Sequence, residues 1–167
     1  MRDSVTFVVE GKPKGKGRPR FTMRSGYPTA YTPKETAEYE KQIRDAYLAE
    51  GGELHNGGMC IMVSAFYPVP KSATKKDRTA MLDGETFPLV KPDVDNILKV
   101  VCDALNGVAY PDDSHILQAI VQKHYAPEGY IRVTVSEFSA KDRLKFTAAN
   151  LSKFFDICRP TLEELFS

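Results

Sequence analysis

KPDVDNILKVVCDALNGVAYPDDS, residues 91–114, is the stretch on which the fold turns. Val94, Ile97, Leu98, Val101 and Leu105 recur at helical spacing, and Asn106-Gly107 follows as a stop, so the segment predicts an amphipathic helix. Two aspartates, Asp93 and Asp95, open it; Lys99 comes four residues after the second, and Asp112-Asp113 arrives in the turn beyond. Asp95 and Lys99 are i, i+4 neighbours on one side of the apolar stripe, within reach of each other. Asp93 precedes or caps the helix, so its carboxylate is not bound to helical phase. If the next strand runs antiparallel to the helix, Asp112 and Asp113 lie at its C-terminal end, and they meet Asp93 only where the chain folds back.

Outward from this helix, the flanking segments supply a sheet. SVTFVVE places Val5, Phe7 and Val9 at every second position, the period of a half-buried strand, and the run from Met59 to Phe66 reads as a buried strand ended by Pro68. Two further strands are expected at about 115–125 and 130–138, joined by APEG as a hairpin. Between the first two strands, residues 11–35 carry glycine, proline and charge without apolar period and read as a loop or extended arm. Thr32 as N-cap, Pro33 at the first helical position and Glu35 then announce a helix bearing Tyr39, Ile43, Ala46 and Tyr47, stopped at Gly51-Gly52. A short basic helix capped at Ser72 is expected over 71–82, closed by Gly84. The order βαβ(α)αββ describes an α+β fold, a small mixed sheet with helices packed on it. Residues 1–139 make one domain; 140–167 read as a C-terminal extension of two short helices, whose Glu163 and Glu164 have the wrong sign for reading a DNA groove.

A chain of 167 residues is long enough to bury a core without staples. Its three cysteines, Cys60, Cys102 and Cys158, are far apart and form no C-x-x-C pair, which argues against a disulfide framework or zinc knuckle and for reduced thiols in a cytosol. The first residues lack the apolar run of a signal peptide, and the longest apolar stretch, residues 59–70, is too short to span a bilayer, so a soluble cytoplasmic protein with no membrane partner is expected. The net charge of +1 decides nothing, but its distribution does: Lys12, Lys14, Lys16, Arg18, Arg20 and Arg24 occur without an intervening acid, while acids gather at 93–113.

Acids crowded together need a cation, and hard carboxylate oxygens suit Mg²⁺ or Mn²⁺. Were Asp93, Asp95 and Asp113 to converge, such an ion would activate water for phosphodiester hydrolysis, with Lys99 orienting the water or neutralising a phosphate oxygen. The plainer alternative is a D-x-D that caps a helix and faces water. An EF-hand fails, because Ile97, Leu98 and Ala104 stand where an oxygen ligand, a glycine and a glutamate are required. The basic arm, interleaved with Pro13, Pro19 and Phe21, suits a segment tracking a phosphate backbone, against the alternative of a solvated loop; Lys91 adds to this set. GKPKGKG is no P-loop, and His55, His115 and His124 are scattered surface or core histidines.

KPDVDNILKVVCDALNG followed by YPDDS resembles the core motif of RusA-type Holliday junction resolvases, D-x-D-N, a lysine four residues after the second Asp, D-A-L, then D-D before a strand. GKPKGKGRPRF and YTPKETAEYEKQI resemble the arm and first helix of its phage and prophage branch. The resemblance spans about residues 5–137. It implies a homodimeric endonuclease, dependent on Mg²⁺ with Mn²⁺ able to substitute, that binds four-way DNA junctions and nicks two strands symmetrically. Matched by position, Asp93, Asp95 and Asp113 would be the metal-binding carboxylates and Lys99 the lysine needed for cleavage, with Asp112 in an open role. The alternative is a structure-specific DNA-binding protein of the same fold that does not cut.

Overall fold

The computed structural model describes residues 4–17, 20–22, 29–31 and 33–138. The expected C-terminal helices of 140–167 therefore lie outside the described residues. Among the described residues, six strands and three α-helices follow in the order β1 (Ser4–Glu10), β2 (Arg20–Thr22), β3 (Thr29–Tyr31), α1 (Lys34–Ala49), β4 (Met59–Pro68), α2 (Lys75–Leu82), α3 (Val94–Leu105), β5 (Ile116–Ala126) and β6 (Tyr130–Glu137). The fold is α+β, with a mixed four-stranded sheet ordered β1-β6-β4-β5.

β4 explains this order. Eight of its first nine residues are buried, on both faces, so its backbone N–H and C=O groups are shut off from water and need a strand on each edge. β6 pairs with it antiparallel and β5 pairs with it parallel. The hairpin expected between β5 and β6 does not form: the two strands flank β4, and β6 pairs on its far side with β1. Alternation along β6 records a half-buried strand, but it does not name the partner. The loop across the end of β4 is held by Val69 N–H to the Ala126 carbonyl at 3.0 Å and Gly11 N–H to the Gly129 carbonyl at 2.8 Å.

The predicted arm also contains structure, since β2 and β3 pair antiparallel as a small separate ribbon. α1 begins one residue later than its sequence suggested. Pro33 is the N-cap, with no side-chain cap, and Thr32 lies outside the described residues. In α2 the cap is Thr74 rather than Ser72; its hydroxyl accepts the Asp77 N–H at 3.2 Å.

α1 and α3 pack together and cover one face of the sheet. Tyr39, Ile43 and Tyr47 of α1 are buried with Val5, Phe7 and Val9 of β1, and the Phe7 and Tyr47 rings meet edge-on at 5.9 Å. Each such side chain contributes about 1.5–3 kcal/mol through burial. α3 buries Ile97, Val100, Val101, Cys102, Ala104 and Leu105. Its apolar face is thus turned from the expected stripe: Leu98 is only partly buried and Val94 is 47% exposed. With its core face fixed this way, α3 presents Asp95 and Lys99 outward.

Candidate active site

Asp93 occupies the N-cap position of α3 but makes no side-chain cap hydrogen bond. The loop before it includes a cis Lys91–Pro92 peptide, and the Tyr67 hydroxyl donates to the Pro92 carbonyl at 3.3 Å. Burial together with the charge of Asp93 raises the Tyr67 pKa to about 12. Beside Asp93 lies an open cavity of about 650 Å³ lined by residues 87–91, Val94 and Lys123. Phe87 and Leu89 stand out into solvent there, and the Lys123 ammonium donates to the Val90 carbonyl.

At the other end of α3, the chain turns back. Val108 and Ala109 N–H groups donate to the Leu105 carbonyl, and the buried Tyr110 hydroxyl donates to the Cys102 carbonyl at 3.0 Å. This loop delivers Asp112 and Asp113 to the helix C-terminus. Asp112 accepts the Ser114 N–H at 3.0 Å as the cap of a single 3-10 turn, Asp113–His115, and these bonds hold its carboxyl below the usual aspartate range. Asp113 has the opposite bias. Burial and the charges of Asp103 and Asp112 raise its pKa, against a smaller opposing pull from Lys99. Its carboxylate lies 3.5 Å from the Asn106 amide nitrogen.

The expected acids therefore divide into two groups. At 1.5 Å per residue, about 20 Å of helical rise separates Asp93 from Asn106, the neighbour of Asp113. Among the described residues no three His, Cys, Asp or Glu side chains are grouped to hold a metal ion. Lys99 pairs not with Asp95 but with Asp103, one turn further on, at 3.4 Å. Asp103 stands in the D-A-L of the motif and Asn106 in the helix stop, but neither they nor Tyr110 were read as site residues, although the i, i+4 spacing of Asp103 from Lys99 equals that of Asp95.

The basic arm also divides. Lys12 and Lys14 are exposed, as is Lys91, although the Lys14 ammonium sits 5.5 Å above the Tyr39 ring. Lys16 is not a free cation: its ammonium lies 2.6 Å from Glu40 of α1 and 2.7 Å from Asp103 of α3. Burial alone would lower its pKa, but those two carboxylates outweigh burial and raise it. Arg18 and Arg24, and the side chain of Arg20, lie outside the described residues. Cys60 and Cys102 are buried thiols, and Cys158 lies outside the described residues.

A model of the family described as endodeoxyribonuclease RusA matches residues 10–136, from the end of β1 almost to the end of β6. The chain belongs to the RusA endodeoxyribonuclease family. It is also 36% identical over 146 residues to the uncharacterized protein YqaN of Bacillus subtilis (strain 168), a match covering 83% of this chain and 99% of that one. RusA-family proteins are in general Holliday junction resolving endonucleases that depend on divalent metal. In this RusA-family chain the match takes in Asp93, Asp95, Lys99, Asp103 and Asp113 together with the arm from Lys12 onward. No helix among the described residues is long and apolar enough to cross a membrane.

Proposed function

We propose that this protein is a Mg²⁺-dependent endodeoxyribonuclease that acts as a homodimer on four-way DNA junctions and hydrolyses one phosphodiester in each of two strands. Mn²⁺ substitutes for Mg²⁺ in this proposal, and the setting is DNA recombination and repair in the cytoplasm of a prophage-carrying cell. The observation that carries the reading is the uncapped Asp93. A carboxylate at an N-cap ordinarily accepts a helix N–H; here it accepts none and faces solvent beside exposed Asp95, which disfavours the plain capping role.

Asp93, Asp95 and Asp113 are the proposed acids and Lys99 the proposed cation at the scissile phosphate. As donors these carboxylates suit a hard divalent ion, which when bound would supply an activated water. As geometry, one chain does not gather them, so their separate roles are what the chain itself defines. Exposed Asp93 and Asp95 repel a bare phosphate and keep duplex DNA off the site until a cation is present. Lys99, 61% exposed at its side chain, is placed to neutralise phosphate charge. Lys12, Lys14 and Lys91, with Arg18, Arg20 and Arg24, are the proposed contacts to the DNA backbone. A C₂ dimer supplies two such sites for a substrate of matching symmetry.

The test uses a labelled synthetic four-way junction and matched linear duplex, with Mg²⁺ or EDTA, resolved on a denaturing gel. Paired, metal-dependent nicks confined to the junction are expected. Tight junction binding with no nicks in either Mg²⁺ or Mn²⁺ would instead establish a non-cleaving structure-specific binder.

A further inference from the structure

Four charged residues form a continuous chain across the two helices: Glu40 to Lys16 at 2.6 Å, Lys16 to Asp103 at 2.7 Å, and Asp103 to Lys99 at 3.4 Å. All but Lys99 are mostly shielded, with side-chain exposures of 15% for Glu40, 19% for Lys16 and 22% for Asp103. Backbone contacts fix Lys16 as well. Its N–H donates to the Asn96 carbonyl at 3.0 Å, and neighbouring Gly15 packs so close that a Cβ there would lie 2.7 Å from Pro92 Cβ.

Lys99 has an acid one helical turn away in each direction, Asp95 before it and Asp103 after it. Its choice decides where the cation stands. Were Asp103 a lone acid, it would hold Lys99 tightly and neutralise it. Lys16 occupies one oxygen of Asp103 in a short charge-assisted bond, and Lys99 is left on the other at the longer distance. With Glu40 and Asp103 negative and Lys16 and Lys99 positive, the group sums to zero, so binding Lys99 elsewhere leaves no bare charge beyond one carboxylate already bonded to Lys16.

We infer that Lys16 and Asp103 are positioning residues for the nuclease reaction, holding the Lys99 ammonium on the Asp113 side of α3 while keeping it loose enough to engage a phosphate. This assignment rests on the reading of Lys99 as the active-site cation, and it removes Lys16 from the DNA-contacting arm. Without Lys16, Asp103 locks Lys99; without the Asp103 charge, Lys99 swings toward Asp95. Either change slows the reaction of bound DNA without changing how tightly DNA is held.

The test compares full-length wild type with Lys16→Met, Lys16→Arg, Asp103→Asn and Lys12→Met. It measures junction Kd as a function of salt, and the single-turnover nicking rate of the saturated complex in Mg²⁺. Lys16→Met and Asp103→Asn should each lower that rate about 10–100-fold, the usual cost of losing a supporting partner, with Kd within about twofold of wild type. Lys16→Arg should recover most of the rate. Lys12→Met should behave oppositely, weakening binding and reducing the salt slope by about one per chain. If Lys16→Met lowers the salt slope and leaves the saturated rate intact, Lys16 is a phosphate contact and the inference is overturned. Should Lys16→Met not fold, Asp103→Asn decides by the same two readouts. Wild type that nicks, Lys99→Ala that does not, and unimpaired Lys16→Met and Asp103→Asn would sink this inference alone; wild type that binds but never nicks overturns the nuclease reading and this one with it.

Discussion

The Tyr110 hydroxyl donates to the Cys102 carbonyl at 3.0 Å inside the core, tying the loop that carries Asp112 and Asp113 to the last turn of α3. That carbonyl also accepts the Asn106 N–H at 3.0 Å, so it keeps one partner if the tyrosine bond is lost. Tyr110→Phe should therefore cost about 1 kcal/mol, the net worth of one hydrogen bond, read from the urea midpoint. Tyr110→Ala should cost about 3–5 kcal/mol by also opening a cavity. If nicking depends on Asp113, Tyr110→Ala should lose activity beyond what its stability predicts.

Asp95→Asn is expected to separate binding from cutting. The junction nicking rate should fall by about a hundredfold or more, the range seen when one preorganised electrostatic group is removed. Junction Kd should stay equal or improve, because one charge that repels phosphate is gone. A gel-shift titration beside a single-turnover nicking assay measures both; a variant that cuts like wild type removes Asp95 from the site.

Alkaline stability should report on Lys16. Its folded-state pKa is raised above the ordinary 10.5, with Asp103 and Glu40 outweighing burial. A lysine so shifted adds stability that is complete below its unfolded value and is lost as pH rises through its folded value. The urea-midpoint difference between wild type and Lys16→Met should hold steady up to about pH 10 and narrow above it. A difference that grows with pH contradicts the pairing.

Gly15→Ala should be harmful although the residue sits in what looks like a charged tail. The added Cβ would meet Pro92 Cβ at 2.7 Å and Asn96 Cβ at 3.0 Å, neither of them the far end of a flexible side chain. Overpacking of this kind costs about 1–3 kcal/mol. Limited proteolysis near residues 11–17 should also speed up, since the arm can no longer lie flat on α3.

Much of the frame was legible in local pattern. The alternation of β1, the buried run of β4 and the spacing of Tyr39, Ile43 and Tyr47 each state their own burial. What the pattern did not contain was partnership over long separation. β6 alternates equally well beside β5 or beside β4, and only the two buried faces of β4 decide between them. The acidic motif was legible as residue types, and Asp112 and Asp113 at the far end of α3 follow from the antiparallel return. The engagement of Lys99 by Asp103 rather than Asp95 is a choice between equal spacings, and Asp103 is shared with Lys16, a residue far earlier in the chain that no local pattern connects to it. A lysine in a glycine-rich, proline-rich stretch resembles a solvated one until its carboxylates are seen.

The close seating of Gly15 against Pro92 and Asn96 gives the arm two unequal histories under divergence. Its outward lysines, Lys12 and Lys14, are exposed and can drift in number and sign. The small residue at 15 and the cation at 16 cannot drift alone, because each change must be answered on α3. Relatives whose arms look unrelated in charge should therefore still keep paired exchanges between position 16 and position 103, and such pairs are where inheritance of this architecture would be traced.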